Sequence, residues 1–174
     1  MGDENTPSTS GNKKMWYIIG GIVVLLLLGW LATRGIGGAM MGAAGVNTQQ
    51  HLDGSTTYTD NEGNSATIGG NSMPESWPSD APQNYAGATI QYSGNSNPQT
   101  GKAGAAVVYS AQASAQAVVD YYKAQLSSKG WTIEATANTG VATVLSATKD
   151  GRTFGLYIVN SGSGTVSVTA GIEL

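Results

Sequence analysis

Few side chains in this sequence could do chemistry. Cysteine is absent and histidine occurs once, at His51. Thiol nucleophiles, disulfide bridges and zinc sites built from cysteine and histidine are therefore excluded. The predicted folded domain contains no histidine for a Ser-His-Asp triad, and we expect no metal or catalytic role for His51 in its polar segment.

The remaining candidates for catalysis are a serine–lysine pair and paired carboxylates. Ser127 or Ser128 stands beside Lys129, but adjacent residues at the end of a helix are normally solvated. Three carboxylates could pair as in glycosidases, although each has a simpler role on a helix surface, an outward strand position or a turn. They are Asp120, Glu134 and Asp150. No glycine-rich phosphate loop precedes a helix. We therefore predict a protein that is not an enzyme and uses no cofactor or metal.

Aromatic residues near the start of the predicted domain offer a binding chemistry instead. Exposed aromatic side chains could form an interaction surface for protein or carbohydrate, and the candidates are Trp77, Tyr85, Tyr92 and Tyr109. The alternative is that these rings close the open end of the hydrophobic core. A second candidate surface is a sheet face rich in hydroxyl groups, which either binds a partner or is only solvated. Its residues are Thr132, Thr136, Thr165, Ser167 and Thr169.

The charge content is low and slightly acidic. Charged residues make up 11% of the 174 positions, and the formal net charge is −3. An average soluble domain has roughly 25% charged residues. Because no basic patch is evident, we predict that nucleic acid is not a partner.

An apolar segment near the N-terminus predicts a membrane anchor. Residues 15–33 carry no charge, and as a helix they would span roughly 28 Å, close to the hydrocarbon thickness of a bilayer. Trp16, Tyr17 and Trp30 lie towards its ends, where aromatic rings favour the membrane interface. We therefore predict a transmembrane signal anchor at residues 15–34, with the lipid bilayer as its partner.

The flanking charges predict the orientation of this anchor. Lys13 and Lys14 precede the apolar segment, whereas only Arg34 follows it directly. The positive-inside rule then places the N-terminus in the cytoplasm and the C-terminal domain outside the cell membrane. The predicted localisation is a single-pass membrane protein. A cleaved signal peptide is the alternative.

The rest of the chain divides by composition. Residues 1–14 form a short cytoplasmic tail, residues 35–55 a flexible glycine-rich and polar linker, and residues 56–72 a small hairpin with further linker. Small residues such as Gly38 and Gly42 have the spacing found in packed membrane helices, so residues 35–45 could instead extend the membrane helix. Residues 73–174 form the predicted extracytoplasmic domain.

This domain contains one predicted helix among strands. Ser114 can cap the helix and Gly130 can end it, while Val118, Tyr122 and Leu126 share one face. Alternating apolar and polar residues predict two strands before the helix and four after it. The predicted fold class is α+β, with an N-terminal transmembrane helix, a flexible linker and a two-layer domain. In that domain one helix packs on an antiparallel sheet, in the order β-β-α-β-β-β-β.

Several local patterns together resemble a known group of proteins. Residues 73–82 contain Trp-Pro-Ser-Asp-Ala-Pro, Tyr85 is followed by Gly87 and Ala88, and residues 121–131 contain Tyr-Tyr-Lys, Leu and Gly-Trp. Over roughly residues 58–174 the chain resembles uncharacterised bacterial single-pass membrane-anchored envelope proteins. The resemblance implies a small extracytoplasmic α+β domain, and no catalytic residue can be transferred from it.

These observations lead to three functional hypotheses. The main prediction is a membrane-anchored extracytoplasmic interaction or structural module of the cell envelope, without catalysis. Its partner would be an envelope protein or a second copy of the chain. The alternative is a small-ligand or lipid-binding envelope domain with a pocket between helix and sheet. The third is a minor subunit of a surface appendage or secretion system.

Overall fold

The computed structural model describes residues 45–96 and 103–174, which form nine strands and one helix. The helix is α1 (Ala115–Ser128). The strands are β1 (Asn47–Gln50), β2 (Thr56–Thr59), β3 (Ser65–Ile68), β4 (Thr89–Ser96), β5 (Gly104–Gln112), β6 (Thr132–Asn138), β7 (Ala142–Lys149), β8 (Arg152–Gly162) and β9 (Thr165–Glu173).

All nine strands belong to one antiparallel sheet in the order β1-β2-β3-β4-β5-β9-β8-β7-β6. The first five strands pair in sequence order, but β5 then pairs with the last strand, β9. As a result β5 lies at the centre of the sheet and β6 at one edge. Helix α1 connects these two strands and therefore crosses the sheet.

The predicted fold class is wrong, because the domain is mostly sheet and larger than the six-stranded layer that we expected. Strand β1 lies inside the predicted flexible linker. Strands β2 and β3 form the predicted hairpin, which pairs with β4 and so extends the main sheet. Asn95 in β4 helps to hold this extension. It accepts a hydrogen bond from the Ser65 hydroxyl, and its Nδ2 donates to the Gly63 carbonyl at 3.0 Å. Such long-range pairing leaves no trace in local periodicity.

The predicted membrane anchor, residues 15–34 with Lys13 and Lys14 before it, lies outside the described residues, as does the predicted tail, 1–14. This includes the interface aromatics Trp16, Tyr17 and Trp30. Within residues 45–96 and 103–174, the structure has no helix that is long and apolar enough to cross a membrane. The predicted localisation as a single-pass membrane protein is therefore not supported by the part of the chain that the structure describes.

Capping residues mark both ends of helix α1. The Ser114 hydroxyl accepts a hydrogen bond from the Ala117 amide at 3.1 Å, which satisfies one of the free amides of the first turn. The helix buries Val118, Tyr122 and Leu126 on one face. Gly130 has a φ of +77°, the left-handed conformation in which glycine commonly follows a helix.

The two faces of the sheet differ, because α1 packs on only one of them. The face under α1, called the helix face, holds the main hydrophobic core. Its largest fully buried side chains are Tyr109, Tyr122, Leu126, Leu145, Phe154 and Ile158. The opposite face, called the open face, holds a smaller buried cluster formed by Tyr92, Ala106 and Val108. No helix of the described residues packs on it.

The proline segment, residues 73–82, covers the part of the helix face beyond α1. Trp77 and Ala81 join the main core, and the Trp131 indole nitrogen donates to the Asp80 carbonyl at 2.7 Å. The Asp80 carboxylate accepts hydrogen bonds from Arg152 and Lys149 at 2.5 and 2.9 Å. These two cations hold the pKa of Asp80 well below its usual value. The segment is therefore a fixed part of the domain.

Candidate functional site

A small cleft opens at the end of the sheet where α1 begins. Its volume is about 50 Å³, and we call it the helix-start cleft. Its lining comes from the first residue of α1, from the turn between β6 and β7, and from β8. The residues that shape it most are Ala115, Asn138, Val141, Thr143, Ile158 and Asn160.

The β6–β7 turn is fixed by its own side chains. The Asn138 Oδ1 accepts a hydrogen bond from the Gly140 amide at 2.8 Å, and the Thr139 hydroxyl accepts one from the Ala142 amide at 3.2 Å. Gly140 has a φ of +82°, which other residues adopt only with strain. Asn, Thr and Gly in this order therefore favour a tight turn that presents Val141 at the rim of the cleft.

The accessible lining of the cleft is mainly polar. Ile158 beneath it is buried in the main core, and Thr143 beside Ile158 is nearly buried. At the rim, Val141 keeps 74% of its surface exposed, which is unusual for a large apolar side chain. Asn138 and Asn160 are exposed and carry amide groups that can donate and accept hydrogen bonds. This combination can hold a polar group by hydrogen bonds and offers little apolar surface.

The electrostatics of the cleft favour an uncharged ligand. Its lining consists of Ala, Asn, Gly, Val, Thr and Ile residues, none of which is ionisable. The first turn of α1, which starts at the cleft, contains no acidic residue. Its free amides and the positive end of the helix dipole therefore favour an oxygen atom that accepts hydrogen bonds.

The interface beneath the middle of α1 is filled by protein. The hydroxyl groups of Tyr109 and Tyr122 lie 2.8 Å apart, and the Tyr122 ring stacks on Phe154 with 5.7 Å between ring centroids. Burial raises the pKa of Tyr109 to about 12 and that of Tyr122 well above its usual value, so both stay neutral. Side chains therefore fill the place where we expected a pocket between helix and sheet, and the helix-start cleft lies at the end of the helix instead.

The structure does not assemble the four predicted interaction aromatics into one exposed surface. Trp77 and Tyr109 are buried in the main core, and Tyr85 is half-buried against Tyr121. Tyr92 is buried on the open face. The second predicted surface, the sheet face with hydroxyl groups, is present except for one residue. Thr136 pairs with the core residue Leu145 and so lies on the helix face. The other four residues lie on the open face: Thr132, Thr165, Ser167 and Thr169.

The side chains considered for catalysis have local structural contacts. Asp120 accepts a hydrogen bond from Gln116, Glu134 accepts one from Thr148, and Lys129 donates to the Ser79 carbonyl. The remaining candidates lie at the end of α1 or in turns: Ser127, Ser128, Asp150 and His51. Among the described residues, no group of three or more His, Asp or Glu side chains could hold a metal ion.

The residues that form the cleft could not be identified from the sequence. Two local signals were present, the Asn138-Thr139-Gly140 turn and the helix start at Ser114. What was missing was their proximity, because α1 must cross the sheet before the chain enters β6 at the edge. Local periodicity carries no information about that crossing.

Comparison with known proteins adds one finding. Residues 90–168 match a protein-family model described as START domain-like. The matched range covers fewer than half of the residues of the chain, and the chain is similar to this family over that range. Neither the comparison with curated proteins nor the comparison with solved structures gave a match. The similarity favours a ligand-binding domain, which is the alternative hypothesis from the sequence, over a purely structural module.

Proposed function

We propose that this chain is a ligand-binding module and that the helix-start cleft receives one end of an uncharged, lipid-like small molecule. The observation that carries the proposal is the START domain-like match. Its range, residues 90–168, contains α1 and every residue that lines the cleft. Similarity to this family suggests binding of a lipid or another small ligand.

The chemistry of the cleft supports this class of ligand. Polar groups in a small-molecule site fix the orientation of the ligand. Thr143 supplies a hydroxyl group, and Asn138 and Asn160 supply amide groups at the rim. The neutral hydroxyl or ester end of a lipid-like ligand can pair with these groups. A charged headgroup would find no counter-ion in the lining.

The size of the cleft limits how much of the ligand it can hold. Its volume of about 50 Å³ is far below the range of roughly 300–1,000 Å³ that is typical of complete ligand sites. We therefore propose that only one end of the ligand enters. Contact with the ligand would then cover Val141, whose exposed side chain otherwise stays in water.

We propose that the module acts by binding and not by catalysis. General acid–base and nucleophilic mechanisms need a titratable or nucleophilic group within reach of the substrate. The lining offers only amide groups and the Thr143 hydroxyl, with no titratable group beside that hydroxyl to activate it. The expected behaviour is reversible binding in which the ligand is recovered unchanged.

Titration of the full chain with 1-monooleoylglycerol tests the proposal, with oleate as a charged comparison. Ala115→Trp places a large ring in the cleft and should weaken binding of the neutral lipid at least about tenfold, or ~1.4 kcal/mol. Ala124→Trp is the matched control, because Ala124 is an exposed residue on the same helix and does not line the cleft. Equal affinities for the two variants would place the ligand elsewhere, and absence of lipid binding would refute the proposal.

A further inference from the structure

The open face carries a straight row of small residues across seven neighbouring strands. The pairing register places one such residue of each strand directly opposite the next, from β6 at the edge to β3. The row is Ala135, Ser146, Gly155, Gly171, Ala106, Gly94 and Ala66. With strands about 4.8 Å apart, it extends over roughly 29 Å across the sheet.

Larger side chains stand on both sides of this row and make it the floor of a trough. On one side of the row, two positions further along each strand, Val144 pairs with Tyr157 and Tyr157 pairs with Thr169. On the other side Thr148 and Thr153 pair in the same way. The trough therefore has one wall that is mainly apolar and one wall with hydroxyl groups. Tyr157 keeps 39% of its surface exposed on the apolar wall.

Tyr92 gives a second and independent indication of a ligand. Its ring leans over Gly94, so that its hydroxyl lies 2.5 Å from the position that a Cβ on Gly94 would occupy. The ring therefore covers the row at Gly94 and closes the trough at that end, with its hydroxyl group pointing into the row. Only 5% of Tyr92 is exposed, yet its hydroxyl has no hydrogen-bond partner among the described residues. A buried donor without an acceptor costs free energy, which a ligand oxygen at this position would recover.

The charges on the open face exclude several classes of ligand. Glu134 hydrogen-bonds Thr148 on the hydroxyl wall, and Glu173 accepts from the amide of Thr153. The basic residues of the neighbouring strands, Lys149 and Arg152, are engaged with Asp80 on the helix face. Among the described residues of β4 to β9, no cation therefore faces the trough. Phosphate groups and anionic lipids would be repelled, whereas neutral molecules would not.

We propose that the trough binds an uncharged linear oligosaccharide. A pyranose ring has an apolar face of C–H groups, which can pack on Tyr157, and an edge of hydroxyl groups, which can pair with Thr148 and Thr153. An oxygen of the last sugar unit would accept the hydrogen bond from Tyr92. The residues of the trough are different from those of the helix-start cleft. This proposal is therefore independent of the proposed lipid binding.

Calorimetric titration of the full chain with cellohexaose, maltohexaose and the hexamer of N-acetylglucosamine tests the proposal. At least one should bind, with one site per chain. Ser146→Tyr puts a ring on the floor of the trough and should weaken that binding at least about tenfold. Ser167→Tyr is the matched control, because Ser167 is an equally half-buried serine on the open face but lies beyond the apolar wall. Thermal unfolding of both variants checks that they fold.

Tyr92→Phe separates a binding role from a structural one. Loss of an unpaired buried hydroxyl should leave the melting temperature unchanged or higher, while affinity for the oligosaccharide falls about fivefold. The proposal is overturned if none of the three hexamers binds, or if Ser146→Tyr and Ser167→Tyr bind equally well. It is also overturned if Ser146→Tyr abolishes binding of monooleoylglycerol instead, since the trough would then be a lipid site.

Discussion

The hydroxyl groups of Tyr109 and Tyr122 lie 2.8 Å apart in the core and join the central strand β5 to helix α1. Each residue is almost completely buried. The Tyr109 hydroxyl also interacts with the Tyr85 backbone, whereas the Tyr122 hydroxyl depends on Tyr109 for its hydrogen bond. The contact fixes the helix over the sheet and fills the space beneath its middle.

Removal of one hydroxyl of this pair should cost more than removal of both. Tyr109→Phe leaves the Tyr122 hydroxyl buried without its partner, which should lower the free energy of unfolding by ~1–3 kcal/mol. The double variant with Tyr122→Phe removes that unpaired hydroxyl and should recover most of the loss. Urea denaturation of the parent, the single variant and the double variant measures the effect. A double variant that is less stable than Tyr109→Phe would contradict this account.

The ion pairs of Asp80 should make the stability of the folded protein depend on pH. Hydrogen bonds from Arg152 and Lys149 lower the pKa of Asp80 in the folded protein. The carboxylate therefore contributes stability above its unfolded pKa of about 3.9, and this contribution is lost as the pH falls towards the lower folded value.

Melting temperatures of the protein and of Asp80→Asn between pH 2 and 7 measure this contribution. The difference between them should be largest near neutral pH and shrink below about pH 4. Asp120→Asn, on the exposed side of α1, is the control and should follow the parent protein. A constant difference between parent and Asp80→Asn at every pH would show that the ion pairs do not act in this way.

The cap of α1 should stabilise both the fold and the cleft. Ser114→Ala removes the acceptor for the Ala117 amide and should destabilise the protein by about 1 kcal/mol. Since Ala115 lines the cleft, the same change should also weaken ligand binding. Ser127→Ala, at the exposed C-terminal end of the helix, is the matched control. Denaturation and titration curves that are the same for both variants would argue against the cap.

The extension of the sheet by β1 to β3 should depend on Asn95. Asn95→Ala removes the hydrogen bonds to Ser65 and to the Gly63 carbonyl. We expect faster amide hydrogen exchange in β2 and β3, with little change in β7 to β9. Ser96→Ala is the neighbouring control. Unchanged exchange in β2 and β3 would mean that backbone pairing alone holds the extension.

Local features of the sequence predicted local structure well. Ser114 and Gly130 mark the start and end of α1, and the apolar spacing identifies its buried face at Val118, Tyr122 and Leu126. These features depend on neighbours within one or two turns of the chain. The interaction-module hypothesis, in contrast, stays a prediction, and three of the four aromatic residues that suggested it are buried.

Features that depend on distant contacts could not be predicted. The pairing of β6 with β7 shifts between Ile133 and Ala135, and this bulge moves Thr136 from the expected open face to the helix face. Strict alternation cannot reveal such a shift. The row of small residues on the open face likewise appears only when the registers of seven strands are known.

The central claim, ligand binding at the helix-start cleft, is tested most directly by amide NMR spectra of the full chain during titration with 1-monooleoylglycerol. The account predicts saturable shifts that are largest for the Gly140, Val141 and Thr143 amides and for the first turn of α1. Saturable shifts centred on other parts of the domain, with those amides unmoved, would contradict it. So would spectra that do not change at all.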